Sequence, residues 1–161
     1  MTSKLKNTLQ KSSTQPNFSI EHHPVSYSKD LAKHYFSQIQ SKAWAMLLRS
    51  AADGHPNNRY DILVANPIVT IQSYAKQNHL TFYQYSADGC IQSNKKETIT
   101  NDPFALLDQL LDTHLPQVSN AERFNDIPFI GGALGYFGYD LGRCVETMPS
   151  LAEHDIKTAD M

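Results

Sequence analysis

Residues 128–146 read PFIGGALGYFGYDLGRCVE, and this stretch holds five of the seven glycines in the chain. Aromatic and large aliphatic side chains stand between these glycines. A glycine inside a strand packs nothing and marks a bulge, a bend or a close backbone approach, so the spacing predicts a buried, bent strand. Asp140 is a candidate N-cap for a short helix or helical turn over residues 141–146. We expect the rest of the chain to pack around this strand.

The N-terminal end of the chain has a different composition. Residues 1–24 are rich in Ser, Thr, Lys, Gln and Asn, and they offer too little apolar surface to offset the entropy cost of ordering. We therefore predict a disordered polar tail over residues 1–24 and one domain over residues 25–161, which is long enough for a hydrophobic core.

Two helices are predicted from apolar spacing and from local signals at their ends. Apolar residues recur at four-residue steps from Leu31, which indicates an amphipathic helix over about residues 28–40. Further along, Asp102 is followed by Pro103, a carboxylate at N-cap and a proline at the first helical position. The helix that they begin has a wide leucine-rich face and is predicted to end before Pro116.

The strands are predicted to form mainly antiparallel pairs. The apolar run at residues 43–48 predicts a strand buried on both faces, although its Ala, Met and Leu residues leave a helix as the alternative. The Asp88-Gly89 pair predicts a hairpin turn, and the polar residues 94–101 beyond it predict a loop or a weak edge strand. Further strands are predicted over residues 60–64, 69–71, 80–85 and 90–93. The sum is an α+β fold with largely antiparallel sheets and flanking helices.

The composition excludes several classes of protein. The net charge of -2 provides no basic footprint for nucleic acid or for an anionic membrane surface, so neither partner is predicted. No apolar run approaches the roughly 20 residues of a membrane span. Cys90 and Cys144 lie far apart in sequence, in no metal or redox spacing, which is typical of a reduced cytoplasmic compartment. The predicted location is therefore the cytoplasm.

No complete catalytic or metal-binding motif is present. The glycine-rich stretch lacks the Lys-Ser/Thr ending of a phosphate loop, and no G-x-S-x-G occurs. The seven histidines have no zinc-ligand spacing. Of the carboxylates Asp140 and Glu146, we expect one to cap the helix and the other to pair with Arg143. No catalytic residue and no metal ligand are predicted.

One polar cluster could bind an amino acid. A hydroxyl at a strand end, loop amides and a guanidinium could hold the ammonium and carboxylate groups, and an apolar strand could hold the side chain. The alternative is structural: the Asn-Asn pair makes a turn, the arginine forms a salt bridge and the serine caps an element. The residues of this candidate site are Ser50, Asn57, Asn58, Arg59 and Tyr60.

Three motifs in order resemble a known family. They are WAMLLRS (44–50), HPNNRYDILVANP (55–67) and PFIGGALGYFGYDLGR (128–143), and the likeness covers about residues 35–161. Together they are similar to the N-terminal domain of the anthranilate synthase component I family. The RYDI sequence and Arg49 favour its folate-pathway members, the aminodeoxychorismate synthase component I proteins. The resemblance implies the N-terminal part of a large α/β sandwich.

The resemblance also implies a function. Such enzymes aminate chorismate to aminodeoxychorismate, toward p-aminobenzoate and folate, with magnesium and with ammonia from a glutamine amidotransferase subunit. Their catalytic residues and magnesium ligands lie in a C-terminal chorismate-binding domain, before which this chain ends. The resemblance therefore implies a fragment that is inactive alone and binds no cofactor itself.

One ligand site of the family falls within the chain. The resemblance implies a tryptophan pocket formed by the five residues of the candidate site, although Asn57 stands where related sequences can have a tyrosine and so removes an aromatic contact. Two alternatives remain open. The chain could belong to an anthranilate synthase component I, in which the same pocket serves feedback inhibition by tryptophan, or it could be a stand-alone amino-acid-binding module.

Overall fold

The described part of the chain forms two antiparallel sheets with two α-helices and two 3₁₀ helices. The computed structural model describes residues 19–50, 55–56, 58–116, 118–127, 129–149 and 158–161. Of the tail predicted over residues 1–24, residues 1–18 therefore lie outside the described residues. In chain order the elements are α1 (Leu31–Ile39), β1 (Met46–Arg49), β2 (Asp61–Val64), β3 (Val69–Tyr74), β4 (Gln77–Tyr85), β5 (Ile91–Thr100), α2 (Pro103–His114), and 3₁₀ helices at Ala121–Phe124 and Tyr139–Cys144. The α+β prediction is confirmed.

The smaller sheet pairs β1 with β2, and α1 packs against both strands. The strand prediction for the run at residues 43–48 is thus confirmed from Met46 onward, and the helix alternative is wrong. The prediction of burial on both faces is also wrong, since Leu48 is 44% and Trp44 48% exposed. The physical reason is that β1 has one partner strand in a two-stranded sheet, and its exposed residues Leu48 and Arg49 lie together at one end of that sheet.

The larger sheet has the strand order β3-β4-β5, with β4 in the centre. Leu80 of β4 is 2% exposed and belongs to the core. The predicted hairpin at Asp88-Gly89 is confirmed, and of the polar residues 94–101 those up to Thr100 extend β5 as an edge strand. Lys95 and Lys96 lie on this edge, where charged side chains hinder pairing with another chain.

Both predicted α-helices are confirmed. The Asp102 side chain accepts a hydrogen bond from the Ala105 backbone N–H at 2.9 Å, which caps α2, and Pro103 occupies its first turn. Leu106 on the inner face is 3% exposed. The helix ends at His114, before Pro116 as predicted.

The glycine-rich stretch is not the buried strand that the sequence predicts. Residues 129–138 form no strand, and the Tyr136 and Phe137 side chains are 56% and 60% exposed. A strand is stabilised by backbone hydrogen bonds to a neighbouring strand, and none of the described strands flanks this stretch. Gly131 and Gly132 have φ angles of +150° and +146°, a conformation that interrupts an ordinary extended strand.

The helical turn after the glycines is present, but its polar contacts differ from the prediction. Tyr139–Cys144 is a 3₁₀ helix whose Leu141 side chain is buried. Asp140 lies inside this helix and makes no cap. Its carboxylate instead accepts a hydrogen bond from Arg143 Nε at 2.8 Å, so Asp140 is the carboxylate that pairs with Arg143, and the predicted cap is not formed. Asp140 and Glu146 are both three residues from Arg143, but only Asp140 lies in the same helical segment.

A short segment, residues 158–161, connects the glycine-rich stretch to the larger sheet. Asp160 donates its backbone N–H to the Ser73 carbonyl at 2.7 Å, and the Ser73 N–H donates to the Met161 carbonyl at 3.0 Å. Gly138 donates to the Asp160 carbonyl at 2.6 Å on the other side. A Cβ atom at Gly138 would lie 3.1 Å from that carbonyl oxygen, so this close approach favours glycine.

A buried polar pair lies at one end of the larger sheet, where β3 and β5 finish and β4 begins. Ser73 and Asn78 are both 0% exposed, and the Ser73 hydroxyl donates to Asn78 Oδ1 at 2.6 Å. Asn78 Nδ2 lies 3.2, 3.1 and 3.0 Å from the carbonyl oxygens of Lys76, Ile99 and Asn101. The two N–H donors of the amide are therefore shared among three backbone carbonyls, from the β3–β4 turn, from β5 and from the residue that follows β5.

We expect Asn78→Ala to lower the free energy of unfolding by roughly 2–4 kcal/mol, because it leaves the buried Ser73 hydroxyl and three carbonyls without this partner. Urea unfolding of the chain, followed by circular dichroism, measures the change. Asn94→Ala is the matched control: Asn94 is exposed on β5, and a change within about 0.5 kcal/mol is expected. Equal effects of the two substitutions would contradict the role of the buried amide.

The hairpin turn raises the pKa of its cysteine thiol. The Asp88 side chain accepts hydrogen bonds from the Ser86 hydroxyl and, at 3.4 Å, from the Cys90 backbone N–H. The Ser86 hydrogen bond lowers the pKa of Asp88, which stays ionised near neutral pH. The hydrogen bond to this carboxylate and its negative charge in turn raise the pKa of the Cys90 thiol.

We expect Asp88→Asn to accelerate alkylation of Cys90 by iodoacetamide several-fold at pH 8, because a lower thiol pKa increases the thiolate fraction. Peptide mapping by mass spectrometry separates Cys90 from Cys144, whose pKa is raised mainly by burial. Asp108→Asn, on the exposed side of α2, serves as the control and is expected to leave the rate unchanged. The same Cys90 rate in all three proteins would refute control by Asp88.

Candidate amino-acid-binding site

The smaller sheet places the ends of the candidate site side by side. Ser50 directly follows β1, and Tyr60 directly precedes β2. Because Arg49 pairs with Asp61 in the antiparallel register, Ser50 and Tyr60 lie at the same end of the sheet. Both residues are half-buried. Of the other predicted residues, Asn57 lies outside the described part of the chain.

Tyr60 is held by a contact that the local sequence does not reveal. Its hydroxyl donates to the Asp126 backbone carbonyl at 2.7 Å. Because 66 residues separate the two partners, no local spacing could have predicted this bond. Tyr60 is therefore anchored at its ring end as well as through its backbone beside β2.

Arg59 stacks on Tyr60. The guanidinium carbon lies 5.2 Å from the centroid of the Tyr60 ring, a cation–π contact. Arg59 is exposed and forms no ion pair with any described residue, so the predicted alternative of a salt-bridged Arg59 is not found there. A stacked guanidinium without a carboxylate partner retains donors that suit a ligand carboxylate.

Asn58 makes a turn contact. Its backbone N–H donates to the His55 carbonyl at 2.9 Å, which fits the structural alternative of a turn at the Asn-Asn pair. This backbone bond orients the loop just before Arg59.

Arg49 has an ion-pair partner, in contrast to Arg59. Its Nε lies 3.4 Å from Asp61 Oδ2, and its Nη2 donates to the Lys29 carbonyl at 3.3 Å. The two paired side chains are 31% and 28% exposed. Opposite charges at facing positions of predicted strands are the sequence signal that could have found this pair, but only if the register was known.

A depression on the surface of the larger sheet was not predicted from the sequence. It encloses 240 Å³ and is lined by Phe82, Gln84, Ser93, Asn94 and Lys95. The Ser93 hydroxyl donates to Gln84 Oε1 at 2.7 Å across β4 and β5. Phe82, Gln84, Ser93 and Lys95 share one face of the two strands, because Phe82 pairs with Lys95 and Gln84 with Ser93, whereas Asn94 lies on the opposite face.

Metal-binding and membrane-spanning features were searched over the described residues. No three His, Cys, Asp or Glu side chains lie together there in a group that could hold a metal ion. None of the helices in this part of the chain has the length and apolar character to cross a membrane.

Comparison with known proteins gives consistent matches. The chain is 42% identical over 135 residues to aminodeoxychorismate synthase component 1 of Escherichia coli strain K12, and 40% identical over 133 residues to that of Salmonella typhimurium strain LT2. These alignments cover 84% and 82% of the chain. Anthranilate synthase component 1 of Acetivibrio thermocellus is 31% identical over 121 residues, 75% of the chain. No model of a protein family matches the chain.

The matches cover much more of this chain than of its relatives. They span 27%, 26% and 22% of the Escherichia coli, Salmonella and Acetivibrio proteins, so the chain spans about a quarter of the length of the curated relatives it matches. The resemblance inferred from the three motifs is confirmed. The chain belongs to the family that contains component 1 of aminodeoxychorismate synthase and component 1 of anthranilate synthase.

Proposed function

We propose that the chain is the N-terminal part of an aminodeoxychorismate synthase component 1, acting in the cytoplasm in the amination of chorismate toward p-aminobenzoate and folate. The observation that carries this proposal is the 42% identity over 84% of the chain to the Escherichia coli relative, against 31% over 75% to the Acetivibrio anthranilate synthase component 1. The second match keeps anthranilate synthase component 1 as the other candidate.

In this proposal the chain contributes scaffold and ligand binding rather than bond chemistry. The catalytic residues and the magnesium ligands are assigned to the remainder of a longer protein, and ammonia comes from a glutamine amidotransferase subunit. Magnesium there would hold the carboxylates of chorismate through its oxygen-seeking coordination. None of the described side chains is assigned to the metal, because they form no suitable group.

The chain's own site is proposed to bind tryptophan. The Arg59 guanidinium would bind the ligand carboxylate, because among the described residues it has no carboxylate of its own and is held by the Tyr60 ring. The Ser50 hydroxyl, at the same end of the smaller sheet as Tyr60, would accept from the ligand ammonium group. Asn57 and Asn58 complete the proposed site.

The assignment to the folate pathway can be tested by exchange. We expect a chimera in which this chain replaces the matching quarter of the Escherichia coli relative to restore growth without p-aminobenzoate in a strain that lacks that relative. The matched control replaces the corresponding quarter of the Acetivibrio anthranilate synthase component 1, and we expect it to restore growth without tryptophan poorly. The reverse pattern would overturn the proposal, and immunoblotting verifies that both chimeras accumulate.

The isolated chain is expected to form no aminodeoxychorismate from chorismate, ammonium and magnesium, with the Escherichia coli relative as positive control.

Calorimetric titration of the chain with L-tryptophan is expected to show saturable binding at a 1:1 ratio. Arg59→Ala should weaken it about 10- to 100-fold, the equivalent of one charge-assisted hydrogen bond. Lys33→Ala, on the exposed side of α1, should leave it unchanged. Product formation by the isolated chain would contradict its proposed lack of catalysis. Flat heats in the tryptophan titration would contradict the proposed tryptophan site.

A further inference from the structure

Two arginines each stand one residue before a residue of the candidate site. Arg49 immediately precedes Ser50 at the end of β1, and Arg59 immediately precedes Tyr60 at the start of β2. By residue type and position alone, either guanidinium could bind the carboxylate of an amino acid. Their surroundings in the structure distinguish them.

Arg49 is a contact point for three parts of the fold. Its guanidinium meets the Asp61 carboxylate at 3.4 Å on β2 and the Lys29 carbonyl at 3.3 Å, two residues before α1. Arg49 itself belongs to β1. Its charge is therefore compensated by Asp61, and its donors are directed into the sheet and the start of the helix.

The Arg49–Asp61 pair lies at the last register position of the smaller sheet, next to the site. A two-stranded sheet is marginally stable, and its terminal pair opens most readily. A charge pair across this position opposes that opening. Opening would separate the chain at Ser50 from the chain at Tyr60, because each is the immediate neighbour of one member of the pair.

We infer that Arg49 and Asp61 are positioning residues, which hold Ser50 and Tyr60 at one end of the smaller sheet and leave Arg59 as the cation that binds an amino-acid carboxylate. The assignment of the ligand rests on the proposed amino-acid-binding function. The closure of the sheet end by the ion pair does not depend on any ligand.

Two ligands separate a positioning role from direct contact. L-Tryptophan carries the carboxylate, and tryptamine lacks it but keeps the ammonium and indole groups. We expect Arg49→Ala to weaken binding of both ligands by the same factor, about two- to five-fold, the value of a partly exposed ion pair. Arg59→Ala should weaken tryptophan binding strongly and leave tryptamine binding unchanged. An Arg49→Ala effect on tryptophan alone would overturn the inference, because it would assign the carboxylate to Arg49.

Exchanging the charges of Arg49 and Asp61 tests whether ligand binding can be restored. Asp61→Arg alone places two cations at one register position and should weaken both ligands more than Arg49→Ala does. Combining it with Arg49→Asp restores an ion pair of reversed polarity, and we expect binding to return to within about two-fold of the parent. No recovery in the double variant would count against positioning by this pair.

Hydrogen exchange on the ligand-free chain keeps the inference independent of the proposed function. Asp61→Asn should increase amide exchange in the peptide that contains β1 by about two- to five-fold, and the charge-exchanged double variant should reverse this increase. Asp108→Asn on α2 is the control. If tryptophan heats are flat but exchange responds as expected, the ligand assignment fails and the sheet closure stands. Unchanged exchange in Asp61→Asn would overturn the inference itself.

Discussion

The larger sheet depends on one buried amide that has to satisfy its hydrogen bonds inside the protein. Asn78 has no access to solvent. Its Oδ1 accepts from the Ser73 hydroxyl, and its Nδ2 donates to backbone carbonyls of the β3–β4 turn and of the end of β5 and the residue after it. One of these carbonyls belongs to Asn101, which immediately precedes the N-cap of α2. The amide thus contacts both the end of β5 and the residue before the N-cap of α2. The Ser73 backbone extends the same cluster to residues 158–161.

The glycine-rich stretch shows how strongly strand formation depends on a neighbour. Its composition is that of a curved strand, but residues 129–138 run without a strand partner and hold Phe137 outward, stacked on Phe104 at 5.8 Å between ring centroids. Family membership does not require the strand within this chain, because it rests on residue identity over four fifths of the sequence.

The two arginines near the candidate site have different partners. Arg49 and Asp61 neutralise each other across the smaller sheet, whereas Arg59 is supported by an aromatic face that offers no negative charge. The first guanidinium has a carboxylate partner within the sheet, and the second has an aromatic neighbour without charge. The same residue type therefore has two different surroundings ten positions apart. The difference arises from the register and from the Asp126 carbonyl that holds Tyr60.

The sequence by itself determined the features that depend on near neighbours. The cap and proline of α2, the Asp88-Gly89 hairpin, the amphipathic spacing of α1 and the three family motifs all act over a few residues, and their predictions are confirmed. Only the tertiary structure decided what depends on distant partners. The conformation of the glycine-rich stretch, the exposure of the end of β1, the Asn78 cluster and the different partners of Arg49 and Arg59 were decided there. Backbone pairing, burial and charge compensation are set by segments far away in sequence, which local propensity does not encode.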